Sequence, residues 1–140
     1  MNRIFADACY WIALLNRNDQ LHETAVAAKK QLGNSQVITT DEVLTEVLNF
    51  SSRHGQQMRD AATQVVDGLR SDDRVTVVEQ SRTSFDYGLS RYKKFLDKEW
   101  SLVDCVSFEL MSRDSVSEAL TNDHHFEQAG FLARLQTSVH

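Results

Sequence analysis

The 140-residue chain contains no proline, and its five glycines (Gly33, Gly55, Gly68, Gly88 and Gly130) stand apart from one another. Nothing in it reads as a linker, a repeat or a low-complexity stretch, so a single domain spanning residues 1–140 is expected. Cysteine is scarce: Cys9 and Cys105 are too few for a disulfide framework and lack the paired spacing of a thiolate metal site. Long apolar runs are missing as well. Trp11 to Leu15 falls far short of the roughly 20 residues of a membrane span, and no basic stretch leads into a signal-type apolar segment. A cytoplasmic protein without a membrane partner is the expectation. Positive charge is in deficit, with 15 Lys and Arg against 20 Asp and Glu for a formal net charge of -5. That balance weighs against nucleic-acid binding spread over the whole surface, because phosphate contacts call for excess Lys and Arg.

What the chain does have is an alternation of short β-type runs with helical segments. The runs are Arg3 to Ala6, Gln36 to Thr39, Val75 to Val78 and Glu118 to Thr121, with a further short strand around Leu132 to Gln136. Between them lie helical patterns over Ala8 to Leu15, His22 to Leu32, Asp41 to Arg53, Gln56 to Arg70, Ser81 to Phe95 and Leu102 to Arg113. Such alternation predicts an α/β fold with a central parallel sheet of four to five strands flanked by helices. In folds of this kind ligands bind beyond the carboxyl ends of the strands.

Four acids fall where such a ligand would bind. Asp7 separates the first strand from the apolar helix that follows, a position equally suited to a helix N-cap. Glu46 lies on a helix whose start pairs Thr39 with Glu42 in a plausible capping box. At 100° per residue it borders the apolar arc formed by Val43, Leu44, Val47, Leu48 and Phe50, where a packed stem with a solvated head is the plain alternative. Asp104 sits on a helix apolar on nearly every side, between Phe108 and Met111, and so needs a partner. A capping box with Ser101 would also satisfy it. Asp123 follows another strand, as a turn or cap aspartate does, and beside it His124 and His125 offer either a surface pair or metal ligands. If the acids converge, repulsion forbids all four from ionising without a cation, and oxygen ligands favour Mg²⁺ or Mn²⁺ over zinc. A site of that kind can hold one or two ions, two lying ~4 Å apart, that activate water against a phosphodiester.

These segments resemble PIN-domain proteins, in particular the small toxins of VapBC toxin–antitoxin modules. The resemblance runs from Ile4-Phe5-Ala6-Asp7 through Thr40-Asp41-Glu42-Val43-Leu44-Thr45-Glu46 and Ser101-Leu102-Val103-Asp104 to Leu120-Thr121-Asn122-Asp123-His124-His125-Phe126. It implies a PIN-like three-layer sandwich and a metal-dependent endoribonuclease whose ion-holding quartet is Asp7, Glu46, Asp104 and Asp123. Ser101 matches the family's hydroxyl residue before the third acid. Ala8-Cys9 replace the hydroxyl residues often found after the first acid, leaving the quartet intact. The resemblance further implies in-line attack of metal-activated water on RNA, leaving a 5′-phosphate and a 3′-hydroxyl, together with a homodimer and an antitoxin partner. A stand-alone RNA-processing nuclease and a non-catalytic RNA- or protein-binding domain remain alternatives, the latter predicting a degraded quartet.

Other signals are weaker. Arg91-Tyr92-Lys93-Lys94-Phe95 with Lys98 interleaves cations and aromatics, so Arg91, Lys93 and Lys94 are candidate RNA contacts. Alternatively they complement a helix C-terminus, with Tyr92 and Phe95 in the core. Cys9 and Cys105 read as small buried fillers, and Tyr10, Trp11, Phe50, Phe108 and Phe126 as core. A haloacid-dehalogenase-type site lacks its second aspartate, since position 9 is cysteine, and no Walker loop, dinucleotide fingerprint, HExxH or serine elbow occurs.

Overall fold

The computed structural model describes residues 2–136; the ends of the expected 1–140 domain lie outside them. Five strands, β1 (Arg3–Ala6), β2 (Gln36–Thr40), β3 (Val75–Val78), β4 (Glu118–Leu120) and β5 (Leu132–Ala133), form one sheet in the order β3-β2-β1-β4-β5. Every pairing is parallel, as the alternating pattern requires. The helices are α1 (Ala8–Leu15), α2 (His22–Gln31), α3 (Asp41–Ser52), α4 (Gln56–Arg70), α5 (Arg82–Lys94), α6 (Leu102–Arg113) and α7 (His124–Gln128).

Strand order decides which face each helix covers. The chain steps outward from β1 to β2 and β3, then jumps back across β1 to β4 and β5. With right-handed crossovers the two directions of travel put α1–α4 on one face and α5–α7 on the other. The packing agrees, since α1 meets α2, α3 and α4, while α6 meets α5 and α7. The direction reverses between β1 and β4, which makes their carboxyl ends the crevice of the fold. Phe5, Ile38, Val43, Val47, Phe108, Met111, Leu120 and Phe126 are among the buried residues that fill the two interlayer spaces.

Several local expectations are corrected. The N-cap of α3 is Thr40, whose Oγ1 accepts from the Val43 N–H at 3.1 Å, so the Thr39–Glu42 capping box does not form. Thr39 is instead a fully buried strand residue whose hydroxyl donates to the Ala6 carbonyl at 2.9 Å. β2 runs one residue further than its apolar pattern, which shifts the cap by one. Leu48 is exposed, and Phe50 is half-buried against His54 rather than in the core, so the buried arc of α3 is Val43, Leu44, Val47 and Ser51. Tyr92 faces solvent, while Phe95 packs onto the core. Cys105 is a buried filler, but Cys9 is only half-buried. β5 stops at Ala133 and α7 forms a short helix after Asp123, because the Asp123 carboxylate caps it by accepting from the His125 N–H at 2.9 Å.

Gly88 sets the spacing of α5 and α6. A Cβ there would lie 2.5 Å from Val106 Cγ2 and 3.1 Å from the Val106 backbone nitrogen. Gly88→Ala gains about 1 kcal/mol of helix propensity but incurs an overpacking cost of about 1–3 kcal/mol. Because backbone as well as side chain must move, net destabilisation is the expected outcome in thermal denaturation, partly relieved by adding Val106→Ala. A melting temperature equal to or above that of the parent would contradict this close approach.

Candidate metal-binding site at the strand ends

The parallel register places Ala6 of β1 beside Leu120 of β4, so the next residues, Asp7 and Thr121, emerge side by side. The Asp7 N–H continues the ladder to the Leu120 carbonyl at 3.3 Å. Asp7 occupies the N-cap position of α1, yet its side chain makes no cap hydrogen bond. It accepts instead from the Thr121 hydroxyl, Oγ1 to Oδ2 at 3.0 Å. Thr121 is fully buried and serves three neighbours. Its Oγ1 also accepts from the Asp123 N–H at 3.1 Å and lies 3.3 Å from Cys9 Sγ. With the Thr121 proton committed to a carboxylate, the thiol is the donor in that last contact.

Asp104 enters from the other helical layer. Ser101 and Asp104 form the reciprocal capping box: Ser101 Oγ accepts from the Asp104 N–H at 3.0 Å, and Asp104 Oδ2 accepts from the Ser101 N–H at 3.2 Å. The partner that the apolar helix demanded is thus partly its own first turn. The remainder is His125, whose Nδ1 stands 3.3 Å from both Asp104 Oδ2 and Asp123 Oδ1. Glu46 stands on α3, exposed, on the same side of the sheet ends.

The acids lie close enough for their charges to act on one another. Asp7 has its pKa pushed up to about 6, chiefly by burial and further by the charges of Asp104 and Asp123, against the opposing pull of the Ala8 amide and the Thr121 hydroxyl. Glu46 is raised to about 7, first by desolvation and then by Asp7, Asp104 and Asp123 together. Asp104 is also raised, by desolvation and by Asp123, with the Ser101 amide and His125 opposing. Burial and the neighbouring Asp7 push the Cys9 thiol up to about 11, which makes it a poor nucleophile. The acids meet in one field but are not drawn together. Among the described residues the one group of three possible ligands with donor atoms within 4.8 Å is Asp123, His124 and His125.

Of the candidates read from sequence, Asp7, Glu46, Asp104, Asp123 and Ser101 converge on this edge. Arg91 does not: its Nε is 2.9 Å from Glu109 Oε1, bracing α5 against α6. Lys93 and Lys94 are exposed on the last turn of α5. Thr121, the link between two acids, was missed, and His125, read as half of a surface pair or as a metal ligand, stands instead as a bridge between two others. Both roles arise from the β1–β4 register and the α7 cap, and the one sequence signal for Thr121 was a polar residue at the end of an apolar strand.

An all-parallel sheet in the order β3-β2-β1-β4-β5 with acids gathered at its switch point defines the architecture of the PIN domain family, and the chain belongs to that family, whose profile matches residues 4–132. The relatives are specific. The 23S rRNA-specific endonuclease VapC20 of Mycobacterium tuberculosis, in strain H37Rv and in strain CDC 1551, is 30% identical over 135 residues, covering 92% of this chain and 95% of that protein. The crystal structure of Mycobacterium tuberculosis VapC20, described as a sarcin-ricin loop cleaving toxin, superposes with a TM-score of 0.78 at 29% identity, covering 92% of this chain and 96% of that one.

The three-way role of Thr121 is open to test. Thr121→Val keeps the shape but strands a buried carboxylate and an N–H, at a cost of about 1–3 kcal/mol. Thermal denaturation is expected to show that loss and its recovery in Thr121→Ser. A valine variant as stable as the parent would contradict the link.

Proposed function

We propose that this protein is a divalent-metal-dependent endoribonuclease and the toxin of a type II toxin–antitoxin module. The observation that carries the reading is the set of four acids, Asp7, Glu46, Asp104 and Asp123, at one strand edge, with Asp7, Glu46 and Asp104 held toward protonation by burial and by their neighbours' charges. Such a donor set fits Mg²⁺ or Mn²⁺, because hard carboxylate oxygens suit hard cations and added positive charge relieves the repulsion. Bound there, one or two such ions would supply Lewis-acid stabilisation of charge on a phosphodiester and acidify the attacking water.

The chain's own residues hold the acids for that task. Thr121 fixes one oxygen of Asp7, leaving the other free for an ion. Ser101 uses its oxygen as the acceptor for the Asp104 N–H, so its proton remains available to a carboxylate or a phosphate oxygen. His125 spans Asp104 and Asp123 and sets their separation. RNA is the substrate class supported by the named endonuclease relatives, and ribosomal RNA is the first substrate to try. The same kinship supports a homodimer, an antitoxin partner and a cytoplasmic site of action; no helix among the described residues is long and apolar enough to cross a membrane.

The test compares the parent with Asp7→Ala and Asp104→Asn in RNA cleavage and in growth on induced expression. Cleavage in Mg²⁺ or Mn²⁺, with EDTA abolishing it and each substitution lowering it at least a hundredfold, is the expected result; the adjacent gene's product should restore growth. Cleavage that survives chelation and both substitutions would overturn the reading.

A further inference from the structure

A cavity of about 570 Å³ opens between the C-terminal end of α5 and the start of α6, lined by Tyr92, Phe95, Leu96, Lys98, Trp100 and Ser101 among others. Its size lies within the roughly 300–1,000 Å³ of ordinary ligand pockets. Ser101, which forms the capping box with Asp104, lines this cavity, so the cavity adjoins the acids. We propose that this groove is a nucleobase subsite, which takes an unpaired base of the RNA next to the phosphate held at the acids. The inference rests on the endoribonuclease reading and deepens it.

Three observations favour this occupant. The floor is rigid and aromatic: Trp100 packs on Phe95 at 5.0 Å and on Phe108 at 5.1 Å between ring centroids, and its indole N–H donates to Gln128 Oε1 at 3.0 Å. Beside this floor the groove presents aromatic and apolar surface to water, with Tyr92 48% and Leu96 83% exposed. A stacked base would cover both, and stacking on aromatic side chains is how unpaired bases are held.

Charge is the third. Lys93 and Lys94 are exposed next to the groove and make no ion pair among the described residues, whereas Arg91 is paired with Glu109, Lys98 with Asp97, and Glu99 also lines the groove. Lys94 Nζ lies 5.7 Å from the Phe95 ring centroid, so one of these unpaired cations stands against the aromatic wall. A polyanion gains from that local field. A second copy docked symmetrically on this groove would set the Lys93–Lys94 pairs of the two copies face to face, which disfavours it as the occupant.

The subsite is tested by fluorescence anisotropy with labelled single-stranded RNA octamers and Mn²⁺, in the Asp7→Asn background so that the RNA stays intact. Tyr92→Ala is expected to weaken binding about tenfold, with Tyr92→Phe retaining most of it and the salt dependence unchanged, as loss of stacking rather than of an ion pair requires. An abasic linkage at the position that occupies the groove should weaken binding to the tyrosine form by a similar factor and leave the alanine form unaffected. Tyr92→Ala affinity within twofold of the tyrosine form overturns the subsite, as does a change from dimer to monomer with RNA affinity intact, which would give the groove to a second copy. Cleavage by the parent separates the two readings. A protein that cuts RNA with no Tyr92 effect keeps the nuclease and loses the subsite, and one that neither binds nor cuts RNA loses both.

Discussion

Carboxylates crowded at one end of a parallel sheet repel one another, and that repulsion is the constraint around which this molecule is arranged. Asp7, Glu46 and Asp104 all hold their protons to higher pH than they would in an unfolded chain, with Asp7 near 6 and Glu46 near 7. The direction of the consequence is fixed. Where the folded chain binds more protons than the unfolded one, stability falls as pH rises, so the metal-free fold is increasingly penalised from about pH 4 to 7. A protein that kept such a cluster only for stability would be better served by amides. In the function proposed, the cluster is a binding site for positive charge, and the cost of assembling it is borne by the rest of the fold.

The fold bears it through ordinary interactions placed at the right register. Parallel pairing of β1 with β4 brings Thr121 against Asp7 without any dedicated loop, and the same threonine anchors the backbone of Asp123. The capping box at Ser101 orients Asp104 while satisfying the start of α6. On the opposite face, Thr40 caps α3 and so fixes the helix that carries Glu46. Asp104 and Asp123 are thus held by contacts that also cap helices, and this is why each, taken singly, reads as a cap or a turn residue.

That double use explains what the chain reveals before it folds. The strands and main helices are legible because short apolar runs alternate with amphipathic ones and no proline intervenes, and their ends shift by only a residue or two where capping chemistry decides, the last strand alone stopping three residues early. The four acids and Ser101 are legible as a set, through position relative to strand ends and through family resemblance. The role of Thr121 and the bridging role of His125 are not, because their partners lie across the sheet or across a helix layer, where only strand order brings them near. Arg91 misled in the opposite sense: cations near aromatics look alike in sequence whether they face a ligand or, as here, a buried-edge glutamate. Tyr92, which one of the two sequence readings put in the core, turns outward because α5 ends beside an open groove rather than beneath another layer.

The central claim, that these acids form one repulsive cluster relieved by a divalent ion, is tested most directly by calorimetric titration of the metal-free protein with Mn²⁺ near pH 6.5 in buffers of different ionisation enthalpy. With Asp7 titrating near 6 and Glu46 near 7, binding should release about one proton, and the release should shrink towards pH 8 as the carboxyls are already ionised. Saturable binding with no proton release at pH 6.5, or no binding at all, would contradict the account.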